Sequence, residues 1–212
     1  GFDGNDTFDV RSRWGNTIVT GGGNNTVRIY GDPLVGEVPG DFSALDFSQR
    51  NPIVVFGGPG NDTFIINGQD TALHILDFAG GEGNSIAMGE GYSSANLRLS
   101  NGSIKLTFGA GQNEIHLQAF DPRDVLGGPR SIGSISFSDG TELSYEELIA
   151  RGFDLEGSSA GEVIRGTDVV DRIRALSGDD ELLGGHGNDV LDGGDGNDVY
   201  VLAREDGHDL IV

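Results

Sequence analysis

Five consecutive nine-residue segments between Gly157 and Val201 share one pattern: GSSAGEVIR, GTDVVDRIR, ALSGDDELL, GGHGNDVLD and GGDGNDVYV. The sixth position is always acidic (Glu162, Asp171, Asp180, Asp189, Asp198), and the eighth is always large and apolar (Ile164, Ile173, Leu182, Leu191, Tyr200). Glycine accumulates at positions one, two and four as the array proceeds. So short and regular a period allows few folds. One segment is too small to bury its own apolar residue, so the chain must coil and stack segment on segment.

Each nonapeptide divides into a six-residue turn and a three-residue strand. Glycine supplies the positive φ angles that a tight turn needs. In the strand, position eight points inward and its neighbours point out. Two nonapeptides complete one turn of a two-faced coil, so nonapeptide n lies against n+2, about 4.8 Å away. This stacks Asp171 with Asp189, Asp180 with Asp198, and Glu162 with Asp180. Carboxylates at that spacing repel unless a cation lies between them. Calcium takes six to eight oxygens at roughly 2.3–2.6 Å, and no thiolate or imidazole cluster offers a softer ion a place. The competing reading is a solvated acidic solenoid without metal.

GGHGNDVLD and GGDGNDVYV fit the pattern G-G-x-G-x-D-x-U-x at every fixed position. In this the array closely resembles the RTX (repeats-in-toxin) calcium-binding repeats. The resemblance implies a parallel β-roll with ions between turns n and n+2. Each ion is held by two position-six carboxylates, by carbonyls of positions two and four below, and by carbonyls of positions one and three above. On this chain that implies one site from Leu176, Gly178, Asp180, Gly193, Asp195 and Asp198. A second follows from Thr167, Val169, Asp171, Gly184, His186 and Asp189. The pair Glu162–Asp180 departs from the pattern, because Glu is one methylene longer and its segment lacks the glycine pair; a weak or absent site is expected there.

GFDGNDTFD (1–9) is another good copy, with Asp6 and Phe8 at the key positions. RSRWGNTIV (11–19) and TGGGNNTVR (20–28) are weaker and place Asn16 and Asn25 where Asp is expected. GGPGNDTFI (57–65) resumes the motif with Asp62. Between them, 29–56 carries Pro33, Pro39 and Pro52 and reads as an excursion from the repeat. With it looped out, 57–65 stacks on 20–28, pairing Asn25 with Asp62, and Asp6 pairs with Asn25; these three are candidate ligands of a weaker column.

The middle third reads differently. Leu73–Phe78, Asn96–Ser100, Ser103–Phe108, Glu114–Phe120 and Ile132–Phe137 are strand candidates by alternation. Asn101-Gly102 and Asp139-Gly140 are hairpin turns. Ser144 and Glu147 form a capping box for a short helix ending near Gly152. The SISFSDGTELSYEEL segment resembles the module that separates repeat blocks in large RTX proteins. The expectation is therefore an all-β chain: a parallel β-roll with a small antiparallel β-rich capping module and one short helix. The boundaries are a degenerate block at 1–65, the module at 66–156, the main block at 157–201, and a run-out into the next module at 202–212.

Composition narrows the function. The 212 residues carry 34 acids against 13 bases, a formal net charge of −21. Twenty-three of the acids are Asp and eleven Glu, which puts the charge in turns rather than helices. Such a surface repels nucleic acid and anionic membranes. There is no cysteine to brace the chain, so calcium is expected to take that role. No H-E-x-x-H, G-x-S-x-G or phosphate loop is present, and no enzymatic role is read. His74 and His116 fall in strand candidates, and His186 is at a variable turn position. His208 with Asp206 and Asp209 makes a poor zinc site. Asp32-Pro33 and Asp121-Pro122 are acid-labile bonds outside any recognisable self-processing context.

The chain reads as an excised fragment of a larger protein. The RTX resemblance implies a secreted, extracellular or bacterial cell-surface location. It also implies export through type I secretion machinery, folding on calcium after export, and a toxin-like parent that contacts a host-cell receptor. The alternatives are a calcium-stabilised spacer of an adhesin or surface-layer protein, and the C-terminal secretion part of an extracellular hydrolase.

Overall fold

The computed structural model describes residues 4–11, 17–30, 53–67, 72–76, 83–100, 104–108, 113–117, 120–128, 130–204 and 206–212. The strands run in chain order as β1 (Thr7–Val10), β2 (Thr17–Val19), β3 (Thr26–Ile29), β4 (Ile53–Phe56), β5 (Thr63–Ile66), β6 (Ala72–Leu76) and β7 (Ser85–Met88). Then come β8 (Leu97–Ser100), β9 (Ile104–Phe108), β10 (Asn113–Leu117), β11 (Ser134–Phe137), β12 (Glu142–Ser144) and the helix α1 (Tyr145–Ile149). The chain closes with β13 (Phe153–Glu156), β14 (Val163–Arg165), β15 (Asp171–Arg174), β16 (Glu181–Leu183), β17 (Val190–Asp192), β18 (Val199–Val201) and β19 (Leu210–Ile211). Among the described residues no helix is long and apolar enough to cross a membrane.

Two compact units divide the chain: 1–97 with 106–119 and 130–143, and 98–105 with 120–129 and 144–212. In the first unit, β1, β3, β5, β7 and β11 form one parallel ladder. A second parallel ladder contains β2, β4, β6 and β10. The first seven strands alternate between the two, as a two-faced coil requires. The pleat turns every second side chain inward. Val27, Ile29, Phe64, Ile66 and Ile86 are buried from one ladder, and Ile53, Val55, Leu73, Ile75, Ile115 and Leu117 from the other. Each such burial is worth about 1.5–3 kcal/mol.

The second unit repeats the arrangement with a tighter period. The strands β13, β15, β17 and β19 stack in parallel, as do β14, β16 and β18. The position-eight residues Ile164, Ile173, Leu182 and Leu191 are buried, as their place in the repeat demands. Ser144 caps α1 in a full capping box with Glu147, and Gly152 follows at φ +73°. The Tyr145 hydroxyl donates to the Val125 carbonyl at 2.9 Å. The Val125 N–H in turn donates to Asp168 Oδ1 at 3.1 Å, which ties the 120–128 loop to the roll.

The structure departs from the sequence reading in several places, among them the strands β7 and β13, which are not among the strand candidates. The excursion at 29–56 yields both its ends to the ladders, Ile29 to β3 and Ile53–Phe56 to β4; residues 31–52 lie outside the described residues. The middle third is mostly not antiparallel. Its strands β6, β7, β10 and β11 extend the two parallel ladders. Antiparallel pairing is seen in the β11–β12 hairpin, where Phe137 N–H donates to Thr141 O at 2.8 Å. The expected turn at Asn101-Gly102 lies outside the described residues. Finally, 202–212 is a further coil rather than a run-out, since Leu210 and Ile211 pair in parallel with Val190 and Leu191.

Candidate metal centre

The position-six residues are stacked by hydrogen bonds. Asp171 donates its backbone N–H to Asp189 Oδ1 at 2.8 Å, Asp180 to Asp198 Oδ1 at 3.1 Å, and Glu162 to Asp180 Oδ1 at 2.8 Å. Each carboxylate thus spends one oxygen on the turn two nonapeptides earlier. The second oxygen has a different fate. Asp171 Oδ2 accepts the Thr167 N–H at 2.5 Å and the Thr167 hydroxyl at 3.0 Å. Asp171 Oδ1, Asp180 Oδ2 and Asp189 Oδ2 are buried with no hydrogen-bond partner.

A buried carboxylate oxygen without a partner is costly, and an ionised one far more so. Burial pushes the Asp171 carboxyl up to about 7, with the charge of Asp189 adding to the effect. Asp189 is pushed up to about 6, by burial first and then by the charges of Asp209 and Asp206. The Arg172 charge offsets this at Asp171 only in part, because its guanidinium is turned to Asp154, Nε to Oδ1 at 2.5 Å. Three orphaned oxygens on stacked acids are what a hard, oxygen-seeking cation satisfies. Among the described residues no three His, Cys, Asp or Glu side chains come together, so an ion in this column has to draw on backbone carbonyls as well.

The carbonyls named from the sequence lie in the turns that stack. Val169 O is 2.6 Å from where a Cβ on Gly187 would stand, and the carbonyls of Thr167, Leu176 and Gly178 meet Gly185, Gly194 and Gly196 in the same way. Leu176 O accepts the Asp195 N–H at 3.0 Å, and Asp195 O accepts the Gly178 N–H at 2.9 Å. Gly184 and Gly193 lie so close to the carboxylates of Asp189 and Asp198 that a Cβ on either would collide with them. His186 is exposed. The Glu162 carboxylate accepts from the Ser158 N–H at 2.7 Å and from its hydroxyl at 3.0 Å, so it is spent on its own turn.

In the first unit the column runs Asp6, Asn25, Asp62. Asp6 N–H donates to Asn25 Oδ1 at 3.0 Å, and Asn25 N–H to Asp62 Oδ1 at 2.8 Å. The column continues to Asn84, which sequence reasoning missed, where Asp62 N–H donates to Oδ1 at 2.7 Å.

Two further features escaped the sequence reading. Asp209 extends the second unit's column by accepting the Asp189 N–H at 3.0 Å. Its signal was present: Asp206-Gly207-His208-Asp209-Leu210-Ile211-Val212 echoes Asp195-Gly196-Asn197-Asp198-Val199-Tyr200-Val201, displaced from the frame by two residues. Position five forms a second column of opposite sense. Asn197 N–H donates to Asp179 Oδ1, His208 N–H to Asn188 Oδ1, and Asn24 N–H to Asn5 Oδ1, each at 2.9 Å. Stacked turns are therefore stapled twice, and the recurring Asn-Asp dipeptide was the signal.

Residues 165–200 match the family model of the RTX calcium-binding nonapeptide repeat, in four copies. No curated protein matches the chain. The segment is thus an array of RTX-type calcium-binding repeats on a parallel β-roll, and calcium is the ion such repeats take.

Proposed function

We propose that the chain is a calcium-switched β-roll of a larger secreted protein, disordered in its second unit where calcium is scarce and folded where it is abundant. The observation that carries this reading is the set of orphaned, buried oxygens on Asp171, Asp180 and Asp189, which lies within the matched segment. Asp180 and Asp198, with the carbonyls of Leu176, Gly178, Gly193 and Asp195, would hold one ion. Asp171 and Asp189, with those of Thr167, Val169, Gly184 and His186, would hold a second. Asp189 and Asp209 would hold a third.

When bound, calcium supplies two positive charges to each carboxylate pair. The rest follows from the chain's own residues. With −21 charges and few large hydrophobes, an uncompensated acidic array favours the unfolded state. Extracellular calcium modules bind at about 10⁻⁴–10⁻³ M. At ten times Kd, each site adds about 1.4 kcal/mol to the folded state by mass action. Neighbouring sites share turns, so ordering is cooperative. Export through type I machinery, a toxin-like parent and a host-cell receptor belong to this reading. Catalysis does not. A spacer of an adhesin or surface-layer protein, or the secretion part of a hydrolase, uses the same switch.

Far-UV circular dichroism during a calcium titration from chelator, with magnesium as control, tests it. A cooperative gain of β signal between about 0.1 and 10 mM calcium, absent with magnesium, is expected. A second unit equally structured in chelator and in calcium sinks it.

A further inference from the structure

We propose that the first unit dispenses with calcium, the side-chain amide of Asn25 doing for its turns what the ion does in the second unit. Asn25 is 1 % exposed. Its Oδ1 accepts the Asp6 N–H at 3.0 Å, which fixes the orientation of the amide. Its Nδ2 then donates to the carbonyls of Gly23 at 3.1 Å and Gly21 at 3.5 Å. In TGGGNNTVR these are positions four and two, the carbonyls that the repeat pattern would turn toward an ion. The amide's hydrogens occupy them, and calcium between Asn25 and Asp62 does not fit.

Two more observations agree. Along the column, Asp6, Asn25, Asp62 and Asn84 alternate acid with amide, so no two carboxylates are stacked neighbours and none of the like-charge repulsion of the second unit arises. Asn84 spends its amide too, but on a different segment: Oδ1 accepts the Asp62 N–H at 2.7 Å, and Nδ2 donates to Ser131 O at 3.1 Å. On the opposite ladder, the register of β2 and β4 puts Ile53 at the equivalent of position six, with Leu73 stacked on it. Both are fully buried, and neither has an oxygen to offer from its side chain. The chain thus joins a permanently folded solenoid to a calcium-dependent one.

Hydrogen exchange read by mass spectrometry on the whole chain, in chelator and in 10 mM calcium, tests this. Amides of 53–66 and 85–88 are expected to be protected in both, with less than a twofold change in rate. Asn25→Asp removes the donors and creates a stacked acid pair. In this variant, protection of 17–30 and 53–66 is expected to become calcium-dependent, and calorimetry to count one more ion. First-unit protection that appears only with calcium, or in neither condition, overturns the proposal. So does an Asn25→Ala variant that binds one ion fewer than the parent; the count is readable even if that variant unfolds locally. A second unit indifferent to calcium defeats the function proposed above, yet leaves this inference supported if 53–66 is protected in chelator.

Discussion

The backbone N–H of Asp171 is bonded to Oδ1 of Asp189 at 2.8 Å, while Oδ1 of Asp171 and Oδ2 of Asp189 are both buried without a partner. One carboxylate oxygen builds the fold and another is left over. The leftover oxygen is the functional one, and the two roles separate by substitution.

Asp189→Asn keeps the acceptor for Asp171 N–H and replaces the charge with an amide. Calcium affinity is expected to fall at least tenfold, about 1.4 kcal/mol, while the chain in chelator gains roughly 1–3 kcal/mol from losing a buried unpaired charge. Asp189→Ala loses both roles and is destabilised in either condition. Denaturant melts with and without calcium read all three. An Asp189→Asn variant less stable in chelator contradicts the argument.

Acid and calcium should act in opposite senses. Asp171 and Asp189 have folded-state values raised to about 7 and about 6. A raised carboxylate pKa means that the folded state binds protons more tightly than the unfolded one. The associated stability is therefore complete below about pH 4 and is lost as pH climbs through the folded values. In chelator, the second unit should become more stable from pH 7.5 down to pH 5. In calcium the protons compete for the same oxygens, and the midpoint should move to higher calcium. Titrations at the two pH values, followed by β signal, decide it.

Leu176 is strained. It occupies position two at φ +78°, where Gly185 and Gly194 stand at +98° and +82°. A left-handed conformation costs a residue with a Cβ about 1–2 kcal/mol. Leu176→Gly should therefore raise the melting temperature in calcium by about 2–4 °C. A fall in melting temperature means that the side chain's packing outweighs the strain.

Asp209→Ala removes the acceptor of the Asp189 N–H. Exchange of the Asp189 and Leu210 amides should quicken, and calorimetry should count one ion fewer. Ser144→Ala, which breaks the capping box of α1, is the control: about 1 kcal/mol less stable, with the ion count unchanged.

What was legible in the chain follows from what a period encodes. The spacing of nine placed Ile164, Ile173, Leu182 and Leu191 inside, and Asp171 under Asp189. The match of GGPGNDTFI to TGGGNNTVR placed Asp62 over Asn25 despite the intervening 29–56. Where the period slips, the signal fades. Asn84 and Asp209 sit in register with their columns only because the turns before them absorb a changed length: the steps are 22 and 20 residues where the main block uses 18. Alternation also says that a strand is half-buried without saying which way its partner runs, so β6, β10 and β11 read as readily antiparallel as parallel.

The amino-acid sequence by itself determined that this chain coils, and, between Gly157 and Val201, which residues line its interior and which carboxylates stack, because each of these follows from local spacing. Only the tertiary structure decided which oxygens are consumed and which are orphaned. That depends on where the second atom of each side chain ends up: against a carbonyl for the amide of Asn25, against nothing for Asp180. An amide and a carboxylate are the same shape. The difference between a turn that closes on itself and a turn in want of a cation appears only when the neighbouring coil is in place.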